Sequence, residues 1–281
     1  MLIKIQPDTQ KFSCNACGSC CSHIRGIVPR EEKEFLKENA FGKMPVVQLV
    51  PVEQMTFPLW DWEAKRFMEW QNEANIDARI RPLRAIMDLN SGKAIILTYF
   101  MDGKEDSCPF LKNNKCSIYQ TKRAYVCRLF PFNRSPFTNE KADENFGLSS
   151  MFGECGAMEH IIPRIPKDFD KMIKFLNGAF PDGSFINAVQ NELVIEWANK
   201  AIIRLMREKT IKPAMNYPYK FLLKRIENSQ KIDFCDFLVE SGYLNEREKE
   251  DLIKRFDANL DAEERIKDKD FSIKNYFPLS R

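Results

Sequence analysis

Only two histidines and 11 glycines occur among 281 residues, and that scarcity excludes several common chemistries. The glycines form neither GxGxxG nor GxxxxGK[ST], so the backbone cradles for a dinucleotide or a nucleoside triphosphate are missing. A Rossmann-type methyltransferase is set aside for the same reason, since it needs a glycine-rich turn from strand to helix. Without HExxH there is no two-histidine protease zinc site, and without GxSxG no nucleophile elbow. No stretch approaches the roughly 20 apolar residues that span a bilayer, and Met1 to Asp8 has no apolar core of signal-peptide length. Charge of one sign is lacking too. The 43 basic and 40 acidic residues alternate to a net +3, so no long-range field favours nucleic acid or a membrane surface. Low-complexity tracts and internal repeats are absent, which predicts a fully folded chain. The expectation is a cytoplasmic protein with no membrane and no nucleic-acid partner; the sequence carries no sign of its oligomeric state.

Cysteine, by contrast, is plentiful. Nine are present, and a reducing compartment keeps thiols free, so metal ligation is favoured over a disulfide framework. A chain of this length with 44% hydrophobic residues can bury a core unaided, so a metal is not required merely to rescue a tiny fold. The cysteines fall into a tight run (Cys14, Cys17, Cys20, Cys21), a second group (Cys108, Cys116, Cys127), then Cys155 and finally Cys235. In Cys14-Asn15-Ala16-Cys17-Gly18-Ser19-Cys20-Cys21, three thiols recur at every third residue, a spacing at which a tight turn aims successive sulfurs at one point. Gly18 can take a positive φ and turn backbone N–H groups toward those sulfurs. Neighbouring side chains diverge, so adjacent Cys20 and Cys21 suggest two centres, or one ligand and one reserve.

Eight thiolates fill two Cys₄ zinc sites or two [4Fe–4S] clusters, or one cluster plus thiols with another role. CxxCxxC opens bacterial ferredoxin runs and Cys108-Pro109 is like the Cys-Pro that closes them, whereas zinc ribbons need a second CxxC pair that this chain lacks. The balance tips toward iron–sulfur. Eight ligands suffice without His23 and His160, which are expected as solvent-facing or supporting imidazoles, direct ligation being the alternative. Lys112, Lys115, Lys122, Arg123 and Arg128 crowd the second group; they either offset the charge of about −2 on a tetrathiolate site or decorate a solvated loop. Cys235, between Phe234 and Phe237 in a helical pattern, reads as core. The stripe Trp60, Trp62, Phe67, Trp70 also reads as core rather than a stacking platform.

The periodicity predicts an α+β fold: a small cysteine-cluster metal domain of short strands and helices over 1–162, with an insertion at about 30–90, and a helical C-terminal module over 163–281. Pro29 and the acids after it start a helix, residues 43 to 60 suit extended chain, and Asp61 to Asn72 suits helix. Asn90-Ser91-Gly92-Lys93 is a turn signal ahead of a β-rich run from Ala94 to Met101. Ile162-Pro163-Arg164-Ile165-Pro166 separates the two parts. Helices are expected at about 167–177, 185–209, 217–227 and 233–256, the last broken at Ser241-Gly242.

The cysteine run, together with Cys108-Pro109-Phe110-Leu111, Cys116-Ser117-Ile118-Tyr119 and Cys127-Arg128-Leu129-Phe130-Pro131-Phe132, resembles the YkgJ-type cysteine-cluster family of zinc- or iron-chelating domains. The resemblance covers residues 12 to 30 and 90 to 156. It implies that these seven cysteines and Cys155 are the chelating set, and that Arg123 and Arg128 sit close to it. Ala124 stands where the family usually has proline, and the segment between Cys21 and Cys108 is longer than in its small members. Flagellin lysine methylases look similar over the same region.

The expected function is therefore a metal-cluster protein in which Cys14, Cys17, Cys20, Cys21, Cys108, Cys116, Cys127 and Cys155 bind the metal. The leading cofactor is an iron–sulfur cluster or iron, with a role in electron transfer or cluster-dependent modification of a protein or peptide. One alternative is a structural zinc module that presents a surface to protein or RNA. The other is an S-adenosylmethionine-dependent lysine methylase-like enzyme, with an iron left open by only three cysteines. Catalytic residues and the substrate are not legible.

Overall fold

The computed structural model describes residues 11–25, 30–39, 41–102, 106–119, 123–133 and 152–268. In chain order the elements are α1 (Ser19–Ser22), α2 (Arg30–Asn39), β1 (Val47–Gln48), β2 (Pro58–Trp60), α3 (Asp61–Glu73), β3 (Arg79–Met87), β4 (Ala94–Asp102), β5 (Leu111–Lys112), β6 (Lys115–Cys116) and α4 (Tyr125–Leu129). They continue with α5 (Phe169–Ala179), α6 (Ser184–Arg207), α7 (Tyr219–Asn228), β7 (Lys231–Asp233), α8 (Phe234–Glu240), α9 (Glu246–Asp257) and α10 (Leu260–Asp268). The class is α+β, with the cysteine-cluster region at the N-terminal end. Two compact units emerge, each drawn from separated stretches. The first takes the chain up to Cys20, Cys127 to Glu196, and Arg255 onward; the second takes Cys21 to Val126 and Trp197 to Lys254.

The second unit is organised by a sheet of order β1-β3-β4-β2, all antiparallel. Its centre is the hairpin of β3 and β4. Asp88 closes the turn: its carboxylate accepts from the amides of Asn90, Ser91 and Lys212 and from the Ser91 hydroxyl at 2.6 to 3.2 Å. These contacts hold its carboxyl below the usual range against the opposing effect of burial, which is the largest single influence. β3 has no clean alternation, because Pro82 cannot donate to the ladder and the register shifts around it. β7 adds a parallel strand to β4 at Ala94 to Ile96, in the short gap between the helices expected at about 217–227 and 233–256.

Both faces of the hairpin are covered, so β4 is apolar along nearly its whole length. On one face Ile86, Ile95 and Leu97 pack against Ala198, Ala201, Ile202 and Leu205 of α6 and Phe234, Phe237 and Leu238 of α8. On the other, Val47, Ala85, Met87, Ala94 and Ile96 meet Ala214 and the buried side of α7, Leu222 and Ile226. α3 starts on a buried acid: Asp61 accepts the amides of Trp62 at 3.0 Å and of Cys235 at 2.8 Å, holding the start of α8. Of the aromatic stripe, Trp62 and Phe67 are buried in the core while Trp60 and Trp70 are half-buried; Trp60 and Trp62 stack at 5.4 Å, and Phe67 lies against Phe110.

The first unit has an aromatic centre. Phe132 lies 4.7 to 5.8 Å from Phe152, Phe180 and Phe185, and Phe12 lies 5.2 Å from Phe180. Met172, Ile173 and Leu176 of α5, Ala188 and Val189 of α6, and Ala262 of α10 close around it. The segment from Ile162 to Arg164 makes a short 3₁₀ turn.

Candidate metal centre

In the first unit the thiols sit on backbone built to face them. Phe12 pins the incoming chain through a 2.6 Å bond from its amide to the carbonyl of Ala179, and Cys14 packs two residues later against the aromatic core. The run then bends through two left-handed residues, Ala16 at φ 52° and Gly18 at φ 80°. Glycine takes that conformation freely, while alanine adopts it against the cost of its Cβ. The bend delivers the amide of Ala16 to Cys14 Sγ at 3.4 Å. The same two-residue reach recurs downstream. The Cys17 thiol lies 3.3 Å from the Ser19 hydroxyl, to which it donates, and that contact followed by the one with the Ser19 amide pushes its pKa down. N–H···S contacts of this kind favour thiolate over thiol, the state a metal requires.

Cys155 arrives from the far side of the sequence. Phe152 bridges Phe132, the Gly153 amide bonds the carbonyl of Pro131 at 2.8 Å, and the next residues place Cys155 before a 3₁₀ turn from Gly156 to Met158. A Cβ at Gly153 would stand 2.9 Å from the ring of Phe130, so a side chain there would require that ring to shift. Cys155 takes an amide contact from Ala157, repeating the Cys14 and Cys17 pattern. Its thiol pKa is nevertheless raised, first by burial and then by the neighbouring sulfurs of Cys14, Cys17 and Cys20. Mutual repulsion among four thiols is the electrostatic signature of a shared neighbourhood, and a cation placed among them would reverse its sign.

Cys20 and Cys21 are consecutive on α1, and successive helical side chains diverge by about 100°. Cys20 belongs with the first-unit thiols, whereas Cys21 begins the second unit. There the carbonyl of Cys21 accepts the amide of Cys108 at 2.7 Å. Asp106 reinforces the junction. Its carbonyl accepts the Ile24 amide at 2.8 Å, and its carboxylate accepts the Arg25 amide at 2.9 Å and lies 3.1 Å from His23 Nδ1. The His23 contact, then the Arg25 amide, hold that carboxyl below its usual range. His23 is thus a solvent-facing partner of Asp106, and His160 is exposed as well.

Cys116 is returned to Cys108 by the β5–β6 hairpin. Leu111 pairs with Cys116 and donates its amide to the carbonyl of Cys108 at 2.9 Å. Asn113 and Asn114 both take positive φ, 51° and 59°, the two-residue turn that antiparallel twist prefers. Phe110 anchors this loop edge-on to Phe67 at 5.1 Å. Lys112 and Lys115 flank the hairpin, and Arg123 lies over the ring of Tyr119 at 4.5 Å. Cys127 sits on α4, whose first amide, that of Tyr125, is held by the buried Glu63 carboxylate at 2.7 Å. Cys235 is buried in the core, and burial followed by the adjacent Asp61 drives its thiol pKa far up, away from thiolate.

Among the described residues, no three His, Cys, Asp or Glu side chains converge closely enough to hold a metal ion. The thiols are neighbours rather than a closed cage. Their chemistry nonetheless suits a thiophilic metal: clustered sulfurs, N–H···S contacts, and no carboxylate from the described residues interposed in the first-unit set. Sequence reasoning missed Asp106 and Glu63, which hold the cysteine-bearing loops without contributing sulfur. Each is an acid without a pattern, recognisable only by the amides it meets.

Residues 13–147 match the CxxCxxCC family, described as "Putative zinc- or iron-chelating domain". Seven of the eight predicted cysteines fall inside that span, and Cys155 lies beyond it. No curated protein and no solved structure matches the chain. Among the described residues no helix is long and apolar enough to cross a membrane.

Proposed function

We propose, from the premise that this chain carries a CxxCxxCC-family chelating domain, that it is an iron–sulfur protein acting in electron transfer or in cluster-dependent modification of a protein or peptide. Cys14, Cys17, Cys20 and Cys155 form one four-thiolate set. Cys21, Cys108 and Cys116 form a second group, and Cys127 completes the eight. The observation that carries the reading is Cys155: although outside the matched span, it shares its electrostatic surroundings with Cys14, Cys17 and Cys20. An iron–sulfur centre would supply one-electron chemistry there. The chain's own residues supply thiolates through the Ala16, Ser19 and Ala157 amides and hold the ligand loops through Asp106 and Glu63.

Elemental analysis of anaerobically purified full-length protein tests this. The expected result is iron and acid-labile sulfide with a brown colour that dithionite bleaches. A colourless protein loaded with zinc would overturn the redox reading and leave the structural zinc module, organising a surface for a protein or RNA partner.

Only three of the candidate ligand cysteines, Cys21, Cys108 and Cys116, fall in the second unit, and that favours one further reading, a methylase in which S-adenosylmethionine completes an iron left with an open position. Addition of S-adenosylmethionine should then change the cluster's electron paramagnetic resonance spectrum. An unchanged spectrum removes it.

A further inference from the structure

Within the second unit, α7 has an apolar side that the core uses and one aromatic residue that it does not. Tyr219, Leu222, Leu223 and Ile226 recur at the spacing of one helix face and join the cluster around Ala85, Met87 and Ala94. Phe221 falls outside that face, and 50% of its surface is exposed. Tyr217, four residues earlier and also exposed, stacks on it with ring centroids 5.8 Å apart. Met215 and Met44 are exposed as well. The backbone beneath is clamped. The Ala214 amide bonds the carbonyl of Met87 at 2.9 Å, and the Asn216 amide bonds that of Gly42 at 2.8 Å. A Cβ at Gly42 would stand 2.4 Å from the carbonyl oxygen of Tyr217, so the two segments lie in direct contact, with Met44 two residues from the junction. Tyr219 donates its hydroxyl to the carbonyl of Gln48, and its ring stacks on Phe41 at 4.8 Å.

Positive charge is concentrated on the same stretch. From Lys209 to Arg225 the chain carries five cations, Lys209, Lys212, Lys220, Lys224 and Arg225, and no acid. They exceed the net +3 of the whole chain, so a local field exists where the chain as a whole has little. All five are exposed, and among the described residues none pairs with a carboxylate. Lys220 adjoins Phe221, and Lys224 and Arg225 follow one turn later on the same side of the helix. Cations on a helix surface are ordinary. An exposed aromatic pair on rigid backbone, next to methionine and rimmed by unpaired cations, has the composition of an interaction surface.

We propose that this surface docks an acidic segment of a partner protein, whose apolar side chains lie against Phe221, Tyr217 and Met215 and whose carboxylates meet Lys220, Lys224 and Arg225. Charge complementarity selects the partner and speeds its approach. Methionine suits such a surface, because its flexible thioether adapts to side chains of different shape. Tyr217 and Phe221 each cover one ring face of the other, which makes them a poor stacking platform for single-stranded nucleic acid. The proposal gives a partner class to the reading of electron transfer or protein modification. Docking itself needs no metal, so the two readings fail separately.

Fluorescence anisotropy tests this with the full chain and a labelled synthetic peptide of glutamates interspersed with phenylalanine and leucine. The peptide should bind saturably, and binding should weaken about tenfold or more between about 50 and about 500 mM salt. Replacing its glutamates by glutamine, or its apolar residues by serine, should each weaken binding about tenfold or more. In the protein, Phe221→Ser and the double reversal Lys220→Glu with Lys224→Glu should each do the same. Both variants should melt within about 2 °C of the wild type, because the altered side chains are exposed. The proposal is overturned if the peptide does not bind, or if both variants bind it as the wild type does. A larger fall in the melting temperature of Phe221→Ser would make Phe221 a packing residue and overturn it too. Tighter binding of an oligouridylate of equal charge would assign the surface to nucleic acid, and a dimer in sedimentation that Phe221→Ser dissolves would assign it to a second copy of this chain; either result overturns the proposal.

Discussion

The amide of Cys108 donates to the carbonyl of Cys21 at 2.7 Å, so the last cysteine of the first run and the first of the second group are joined through backbone. A main-chain bond of this kind survives any change of side chain. The convergence of these two stretches is therefore a property of the fold, and Asp106, two residues before Cys108, is its side-chain reinforcement.

Asp106→Ala should loosen the His23–Arg25 segment and lower the metal bound per chain, while far-ultraviolet circular dichroism stays that of the wild type. Elemental analysis on matched preparations reads the effect. Full metal loading in the variant would show that Asp106 does not position the ligands.

Two cysteines should behave oppositely. Cys155→Ser should cost bound metal with little change in the folded content of the second unit. Cys235→Ser should leave the metal unchanged and shift stability by no more than about 1 kcal/mol, because its buried side chain lies beside Asp61, which accepts a hydroxyl as it accepts the thiol. Metal analysis alongside urea denaturation separates the pair, and metal loss in Cys235→Ser would contradict its assignment as core.

Asp61 gives stability an unusual slope with pH. Burial pushes its pKa up to about 6, above the unfolded value of about 3.9, despite the amides of Cys235 and Trp62. The folded state holds that proton longer than the unfolded chain does. The stabilising contribution is full below about pH 4 and disappears as pH rises through about 6. Relative to Asp61→Asn, the wild type should lose on the order of 2–3 kcal/mol between these limits in urea melts. Parallel curves for the two proteins would refute the shift.

Glu63 accepts the amides of Trp60 at 3.2 Å and Tyr125 at 2.7 Å, serving α3 and α4 together. Glu63→Ala should destabilise by about 2–4 kcal/mol through two orphaned buried donors, and Glu63→Gln by less, since one acceptor oxygen remains. A neutral Glu63→Ala, read by chemical denaturation, would mean that other groups satisfy those amides.

The periodic elements were legible from residues alone. Pro29 and its acids mark α2, the Asn90–Lys93 turn marks the start of β4, and the amphipathic C-terminal segments become α5 to α9 with a break after Glu240. Less legible were β3, where Pro82 and alternating arginines mask the strand, and β7, three residues whose strand character comes only from pairing with β4. The Asn113-Asn114 turn carried a usable signal, two residues tolerant of positive φ between Lys112 and Lys115.

Thiol chemistry and knuckle spacing are intrinsic to the sequence, because a CxxCxxC run with Gly18 needs only local torsions to turn its sulfurs together. Which thiols keep company is a different kind of fact. That Cys155 shares its electrostatic surroundings with Cys14, Cys17 and Cys20, and that Cys21 is bonded through backbone to Cys108, both depend on long-range packing and register. Pattern reading reaches only as far as one element's own periodicity, whereas these juxtapositions are set when aromatic cores and strand pairing close loops of a hundred residues or so.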